Sequence, residues 1–391
     1  MNKLMDNACD IMGEIIEVRR AIHRFPELGH QESKTASLLR SKLEAFGVDE
    51  ILTPTLTSTV AVIRGRKGPG KTVALRADID ALPIQEETGL PFASERQGIM
   101  HACGHDLHAS MMLGNAKLLC DRRDEFAGTV KLIFQHCEEI MPGGSREVIG
   151  TGVLDDVDAF FGMHVTPTEN DRIGRILLRK GPVTTSADEI IIDVHGLGGH
   201  GSQPHKAVDA ILVACQINVL LNQIQARNVD PLDTCIMTMN MINGGVARNV
   251  ISGECSLGGS VRAYTPETRA VVHQKVHDIC RGAEALSGAK VDEKIMLGYD
   301  ACINDDEPID ILTAAYDGNL PYEMMKQPMG FSEDYSFYNT VTGKPSVLMF
   351  LCAGNINGVA TLHNGKVTFR EDAMPYGMAA MSGAALAYLA K

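Results

Sequence analysis

Thr129-Val-Lys-Leu-Ile-Phe-Gln-His-Cys-Glu-Glu139 is a short apolar run that turns abruptly polar at its carboxyl end. The run has the composition of a buried sheet strand bounded by turn residues. Its polar end falls at the edge where open α/β sheets usually build their sites. Two adjacent carboxylates there have two jobs open to them. One can bind metal while its neighbour, aimed differently by the pleat, removes a proton from water. Glu-Glu pairs also occur on solvated helices; the apolar strand in front of Glu138 and Glu139 sets this pair apart.

Outward from this run, residues 71–76, 159–162 and 346–351 repeat the pattern of short apolar stretches between turn residues, and residues 107–120 form a helical stretch between strands. Helical periodicity over 15–24 breaks at Phe25-Pro26 and resumes over 32–46, ending near Gly47. Strands alternating with helices give an α/β class. From about Thr185 the texture changes. A strand over 189–194 leads to a helix expected from Pro204, then strands over 235–242 and 249–263 joined by Asn243-Gly244-Gly245. Thr265-Pro266 caps a further helix that Gly288 should stop, before a strand over 291–296. This β-α-β-β-α-β order predicts a two-layer α+β domain inserted into the larger one. The expected parts are 1–184, 185–298 and 299–391.

The 391 residues carry a net charge of -13 with no basic block, which excludes nucleic acid and anionic membranes as natural partners. The first twenty residues lack the basic start and continuous apolar stretch of a signal peptide, and no later run has the length of a bilayer span. A soluble, cytoplasmic protein is expected. Ten cysteines without a C-x-x-C pair read as buried thiols in a reducing compartment.

His101-Ala-Cys-Gly-His-Asp-Leu-His108 packs three histidines, a cysteine and an aspartate into eight positions just before a helix, with a glycine that lets the backbone bend. One reading is an N-capping Asp106 among surface histidines. The combination favours metal, because imidazole and thiolate bind zinc-like ions and Cys103 and His105 can face one centre. His164 follows the apolar run 159–163, at a similar strand end.

Together these stretches resemble the dinuclear-metal aminoacylase and carboxypeptidase family, in the branch of hippurate hydrolase, auxin-conjugate hydrolases and bacterial N-acyl-amino-acid amidohydrolases. The likeness covers nearly the whole chain. It rests on Arg19-Arg-Ala-Ile-His-Arg-Phe-Pro-Glu27, Leu75-Arg-Ala-Asp-Ile-Asp-Ala-Leu-Pro83, Met100-His-Ala-Cys-Gly-His-Asp106, Glu138-Glu139, Gly162-Met-His164, Gly198-Gly-His-Gly-Ser-Gln-Pro-His205, Asn249-Val-Ile251 and Thr361-Leu-His363. The resemblance implies a zinc-peptidase-like catalytic domain, a mixed central sheet flanked by helices, and an inserted lid and dimerisation domain. It implies Cys103, His105, Glu139, His164 and His363 as metal ligands and Glu138 as general base. His363 comes from the resemblance alone. So does His200 as the group that polarises the scissile carbonyl in the partner subunit of a homodimer, with Asn249 and Arg262 holding the substrate carboxylate. Asp80 is expected to orient the site from behind the ligands, or else simply to cap a strand end.

The implied reaction is hydrolysis of the amide bond of N-acyl- or N-aminoacyl-amino acids by water activated at two divalent transition-metal ions. Zinc, manganese, cobalt and nickel fit the donors; a thiolate and three imidazoles disfavour magnesium and calcium. A dipeptidase or carboxypeptidase on the same fold is the alternative. A thiol hydrolase with Cys103 as nucleophile and His105 as base is a second, and a non-catalytic binder of acylated amino acids a third, which has no use for a general base. Two stretches depart from the family: His136-Cys137 stand where relatives carry proline and a small residue, and Asn364-Gly365-Lys366-Val367 replaces a proline-containing loop.

Overall fold

The computed structural model describes residues 2–168 and 170–391, so Met1, the start of the amino-terminal stretch read above, lies outside it. The chain forms two compact units. One runs from the amino terminus to Val183 and includes Ile303–Pro328 and Asp334–Lys391; the other is Thr184–Cys302 with Met329–Glu333. The second unit extends beyond 298 because the backbone of Ala187 bonds to Tyr299 and that of Thr184 to Cys302. It takes in 329–333 because Thr185 N–H donates to the Phe331 carbonyl at 2.9 Å.

The first unit is built on an eight-stranded mixed sheet. From one edge the strands are Glu50–Leu52, Thr59–Arg64, Thr129–Gln135, Thr72–Asp78, Ala159–Thr166, Ser346–Cys352, Ile176–Leu178 and Tyr322–Met324. Thr72–Asp78 runs parallel to both of its neighbours, Thr129–Gln135 and Ala159–Thr166. Ala159–Thr166 is in turn parallel to Ser346–Cys352, while Thr59–Arg64 is antiparallel to Thr129–Gln135. Thr72–Asp78, Ala159–Thr166 and Ser346–Cys352 are buried throughout, the continuous burial expected where both faces of a sheet are covered. Parallel alignment brings their carboxyl ends to one edge, with Asp78 level with Gln135.

The helix His105–Cys120 is buried almost all round, which is why its sequence shows no clear polar stripe. It packs against Met374–Leu389 with side chain set into glycine. A Cβ on Gly114 would lie 2.0 Å from the Met378 sulfur, and one on Gly377 2.4 Å from the Met111 sulfur. This lock fixes the helix whose first turn carries His105. Its N-cap is Gly104 at φ 89°, a left-handed conformation suited to glycine, and a Cβ there would also meet Val165 at 2.4 Å.

The second unit has a four-stranded antiparallel sheet in the order Cys235–Gly244, Glu254–Ala263, Asp188–His195, Lys290–Leu297. The helices Ala210–Leu221 and Pro266–Ser287 pack on this sheet around Val213, Ile217, Val272 and Val276. Two local expectations change. The first helix starts at Ala210, not Pro204, because Asp209 accepts from the N–H groups of Ile211 and Leu212 and caps it there; Pro204–Lys206 is a single 3-10 turn. The stretch 249–263 is split, with Val250–Ile251 leaving the sheet to pair with Gly199–His200. Cysteine burial is also less complete than expected: seven of ten are buried, Cys120 is half-buried, and Cys9 and Cys215 are exposed.

Candidate active site

The carboxyl edge of the sheet gathers the polar residues. Past Asp78 the chain reaches Asp80; past Gln135 it reaches Glu138 and Glu139 through Cys137, which adopts φ 51°. His164 projects from Ala159–Thr166, and Cys103 and His105 sit at the start of the helix that covers the sheet. Ligand atoms of Cys103, His105 and His164 lie within 4.8 Å of one another, as do those of Cys103, Glu139 and His363, and those of His105, Glu138 and Glu139. The five expected ligands and Glu138 therefore form one cluster.

His363 belongs to it although nothing in its local sequence announces this. The residue stands at φ 56° in a loop, and its N–H donates to the Ala102 carbonyl at 3.0 Å. That bond ties the loop to the Cys103 stretch and leaves His363 Nε2 3.3 Å from Glu139 Oε1.

The imidazoles are oriented from behind. His105 Nδ1 lies 3.0 Å from the Asp80 carbonyl and 3.2 Å from Asp80 Oδ1, and Asp80 Oδ2 accepts the Glu139 N–H at 3.0 Å. Asp80 thus holds two neighbouring members of the cluster. His164 Nδ1 lies 2.7 Å from the Val165 carbonyl, which requires the proton on Nδ1 and turns Nε2 toward Cys103 Sγ at 3.3 Å. Two buried atoms in the cluster have no hydrogen-bond partner, His105 Nε2 and Glu139 Oε1. Such orphans are costly without a partner, and an imidazole nitrogen and a carboxylate oxygen 3.8 Å apart are the donors a divalent transition metal takes. The residues present fit the group.

Charge follows the same logic. Burial disfavours protonation of His105, yet Asp78, Asp80 and Glu139 outweigh it and hold the imidazole up to about 10. Cationic charge is strongly favoured at this point, and a metal ligand must shed its proton to accept a cation instead. Burial, together with neighbouring His108, holds His164 well below the usual histidine range, in the neutral form a ligand needs.

Two other members of the 101–108 motif, His108 and Asp106, have structural work. His108 Nδ1 meets Asp78 Oδ1 at 2.5 Å, and its Nε2 accepts the Val165 N–H at 2.9 Å, so both nitrogens are taken up by the protein. Asp106 does not cap the helix. Its Oδ2 receives Arg19 Nε and His23 Nδ1, each at 2.9 Å, and burial that would raise its pKa is overcome by these partners. His101 is buried, which lowers its pKa to about 4.

A supporting network went unread in the sequence. Arg76 donates to Gln135 at 2.8 Å and to Asp78 and Asp334 at 2.6 Å each, and Asp334 also accepts from Gln135 and from the Ser145 N–H. The period-two spacing Arg76, Asp78, Asp80 at the end of an apolar strand was the available signal, because it puts three charged groups on one face. Asp334 carried none.

His200, Asn249 and Arg262 lie in the second unit. His200 Nδ1 accepts from the Ser202 N–H at 3.1 Å, and the Asn249 carbonyl accepts the Gly201 N–H at 2.9 Å, so these two residues are neighbours across a short ladder. Arg262, in Glu254–Ala263, donates to Ser332 Oγ at 3.1 Å. The glycines beside His200 permit close packing inside the unit. A Cβ on Gly199 would meet Ala207 at 2.9 Å, and one on Gly201 the Asn249 carbonyl at 3.0 Å.

Residues 74–387 match the family model described as Peptidase family M20/M25/M40. The chain is 40% identical over 299 residues to an N-acyl-L-amino acid amidohydrolase of Geobacillus stearothermophilus, covering 76% of this chain and 80% of that one. It is 35% identical over 382 residues to thermostable carboxypeptidase 1 of Saccharolobus solfataricus, covering 96% of each. Its fold matches the crystal structure of a dinuclear metal binding peptidase from M20 family of Bacillus subtilis with TM-score 0.85 and 31% identity, over 97% of this chain and 99% of that one.

Proposed function

The chain belongs to peptidase family M20/M25/M40 and is a metal-dependent amidohydrolase, and from that premise we propose that it releases free amino acids from N-acyl-amino acids. The observation that carries the reading is the cluster of Cys103, His105, Glu139, His164 and His363 around two orphaned buried donors, with Glu138 alongside. Two divalent ions of the zinc, manganese, cobalt or nickel type, held by these five residues, would polarise the scissile carbonyl and acidify water. Glu138 accepts the proton of the attacking water and delivers it to the leaving nitrogen. Asp80 acts through His105 and Glu139 as a positioning residue.

His200, Asn249 and Arg262 supply carbonyl polarisation and carboxylate binding from the second unit, with His200 serving the partner subunit of a homodimer. An unpaired sheet edge and exposed apolar residues support pairing of that unit with a second copy. Cys235–Gly244 is an edge strand with Ile236, Met241 and Ile242 exposed, and a groove of about 710 Å³ is lined by Val219, Leu220 and Leu286. Free thiols at Cys9, Cys215, Cys235 and Cys280 suit a reducing cytoplasm, and no helix of the described residues is long and apolar enough to cross a membrane.

A panel of N-acetyl, N-benzoyl, N-indoleacetyl, p-aminobenzoyl and dipeptide substrates tests the reading. Hydrolysis of acyl-amino acids should exceed that of dipeptides, be abolished by EDTA and return with added metal. Glu138→Gln, fully metallated, should lose roughly two to four orders of magnitude in turnover. Preference for dipeptides would favour a carboxypeptidase; activity that survives EDTA and is killed by iodoacetamide would favour a Cys103 thiol hydrolase.

A further inference from the structure

A second group of metal-competent side chains lies outside the catalytic cluster, around His136 just before Glu138. Ligand atoms of His30, His136 and Glu147 lie within 4.8 Å of one another. The His30 and His136 rings meet edge to face with centroids 5.1 Å apart, and His136 Nε2 is 3.1 Å from Glu147 Oε2.

The central imidazole is held as a ligand would be. His136 is buried, and its Nδ1 lies 2.6 Å from Ser58 Oγ, which also accepts the His136 N–H at 3.1 Å. Gly144 closes over the ring, where any Cβ would come within 2.7 Å of Nδ1 and 2.8 Å of Cε1. His30 is carried in at φ 64°, a left-handed conformation that a non-glycine residue rarely adopts without cause. It reaches this place because Gly29 presses on the Cys137 backbone and sulfur, leaving no room for a Cβ.

Two proton arrangements are open to a neutral His136. With Nε2–H it donates to Glu147 and the contact is an ordinary hydrogen bond. With Nδ1–H donating to Ser58, a bare nitrogen faces a carboxylate oxygen, two acceptors that either a second ring proton or a metal ion reconciles. Two imidazoles and one carboxylate leave room for water as a fourth ligand and suit a zinc-type ion.

We propose that His30, His136 and Glu147 form an auxiliary transition-metal site that clamps the loop carrying Glu138 and Glu139. His136 sits at the start of that loop, Glu147 is in the short helix Ser145–Gly150 just after it, and the Gly144 N–H closes the loop onto the Cys137 carbonyl at 2.9 Å. An ion joining the three ties both ends of the loop to the turn at His30.

The test uses the full chain, stripped with chelator, equilibrated with Zn2+ and desalted before metal content is measured by mass spectrometry. Wild type should hold three zinc ions per chain, whereas His30→Ala and Glu147→Gln should each hold two. Both residues are exposed, so both variants should fold. Ser58→Ala, which retains all three ligands, should weaken the third site by about 10- to 100-fold. The third equivalent should raise the thermal midpoint of wild type and of neither ligand variant. Two zinc ions per chain in wild type, or three persisting in both ligand variants, would overturn the proposal.

Discussion

Asp80→Asn separates orientation of the metal ligands from chemistry at the substrate. The aspartate accepts from two donors at once, with Oδ2 on the Glu139 N–H at 3.0 Å and Oδ1 3.2 Å from His105 Nδ1. Asparagine preserves the volume but offers one oxygen. Whichever way the amide turns, its NH2 faces a donor. The less costly choice keeps oxygen on Glu139, since His105 retains the Asp80 carbonyl at 3.0 Å. One charge-assisted hydrogen bond is then lost, worth about 1.5–3 kcal/mol, or about 10- to 100-fold in affinity at 1.4 kcal/mol per tenfold. Metal affinity, measured by competition with a chromogenic chelator, should fall by that factor. Because Asp80 acts only through the ligands, saturating metal should restore turnover to within about tenfold of wild type. Unchanged metal affinity would remove Asp80 from the ligand scaffold. Unchanged affinity with turnover that metal cannot rescue would place it in the chemistry itself.

If its thiolate is a ligand, Cys103 should resist alkylation in the metal-loaded protein and react after chelation; equal labelling rates in both states would count against ligation. A His200→Ala chain mixed with a Glu138→Gln chain should regain activity if His200 serves the partner's site, since one site of the mixed dimer is then complete. Full activity of His200→Ala alone, or of a monomer sized by light scattering at assay concentration, would reject the shared site. In the second unit, burial pushes the Asp188 carboxyl up, but hydrogen bonds from Arg269 and His273 and the Arg269 charge more than offset this and leave it below its usual value. A lowered folded pKa gives stability that is present above the unfolded value of about 4 and lost as pH falls through the folded value. Asp188→Asn should cost about 3 kcal/mol at neutral pH and flatten the acid limb of the stability profile; urea titrations of the two proteins superimposing at every pH would show that the pair contributes nothing.

The strand 129–135 and the helix that follows the 101–108 motif were legible because burial on both faces leaves a continuous apolar signature, and the polar residues behind them mark a sheet edge. The sequence also pointed to the residues that cluster at that edge, Glu138, Glu139 and His164 at the ends of apolar runs and Cys103 and His105 in a dense donor motif just before a helix. The start of the helix at Ala210 was not, because Asp209 and Pro204 both carry helix-start signals and only the geometry of the cap chooses between them. Tertiary structure alone brought His363 to Glu139, since a loop histidine at φ 56° is placed by its bond to Ala102, more than 250 residues earlier in sequence. It alone decided which histidines of the motif have a nitrogen without a partner: His105 Nε2 and both nitrogens of His101 have none, while His108 is satisfied by Asp78 and Val165. Residue type determines what a side chain can bind. Whether it is at liberty to bind depends on the partners that the fold, not the local sequence, sets against it.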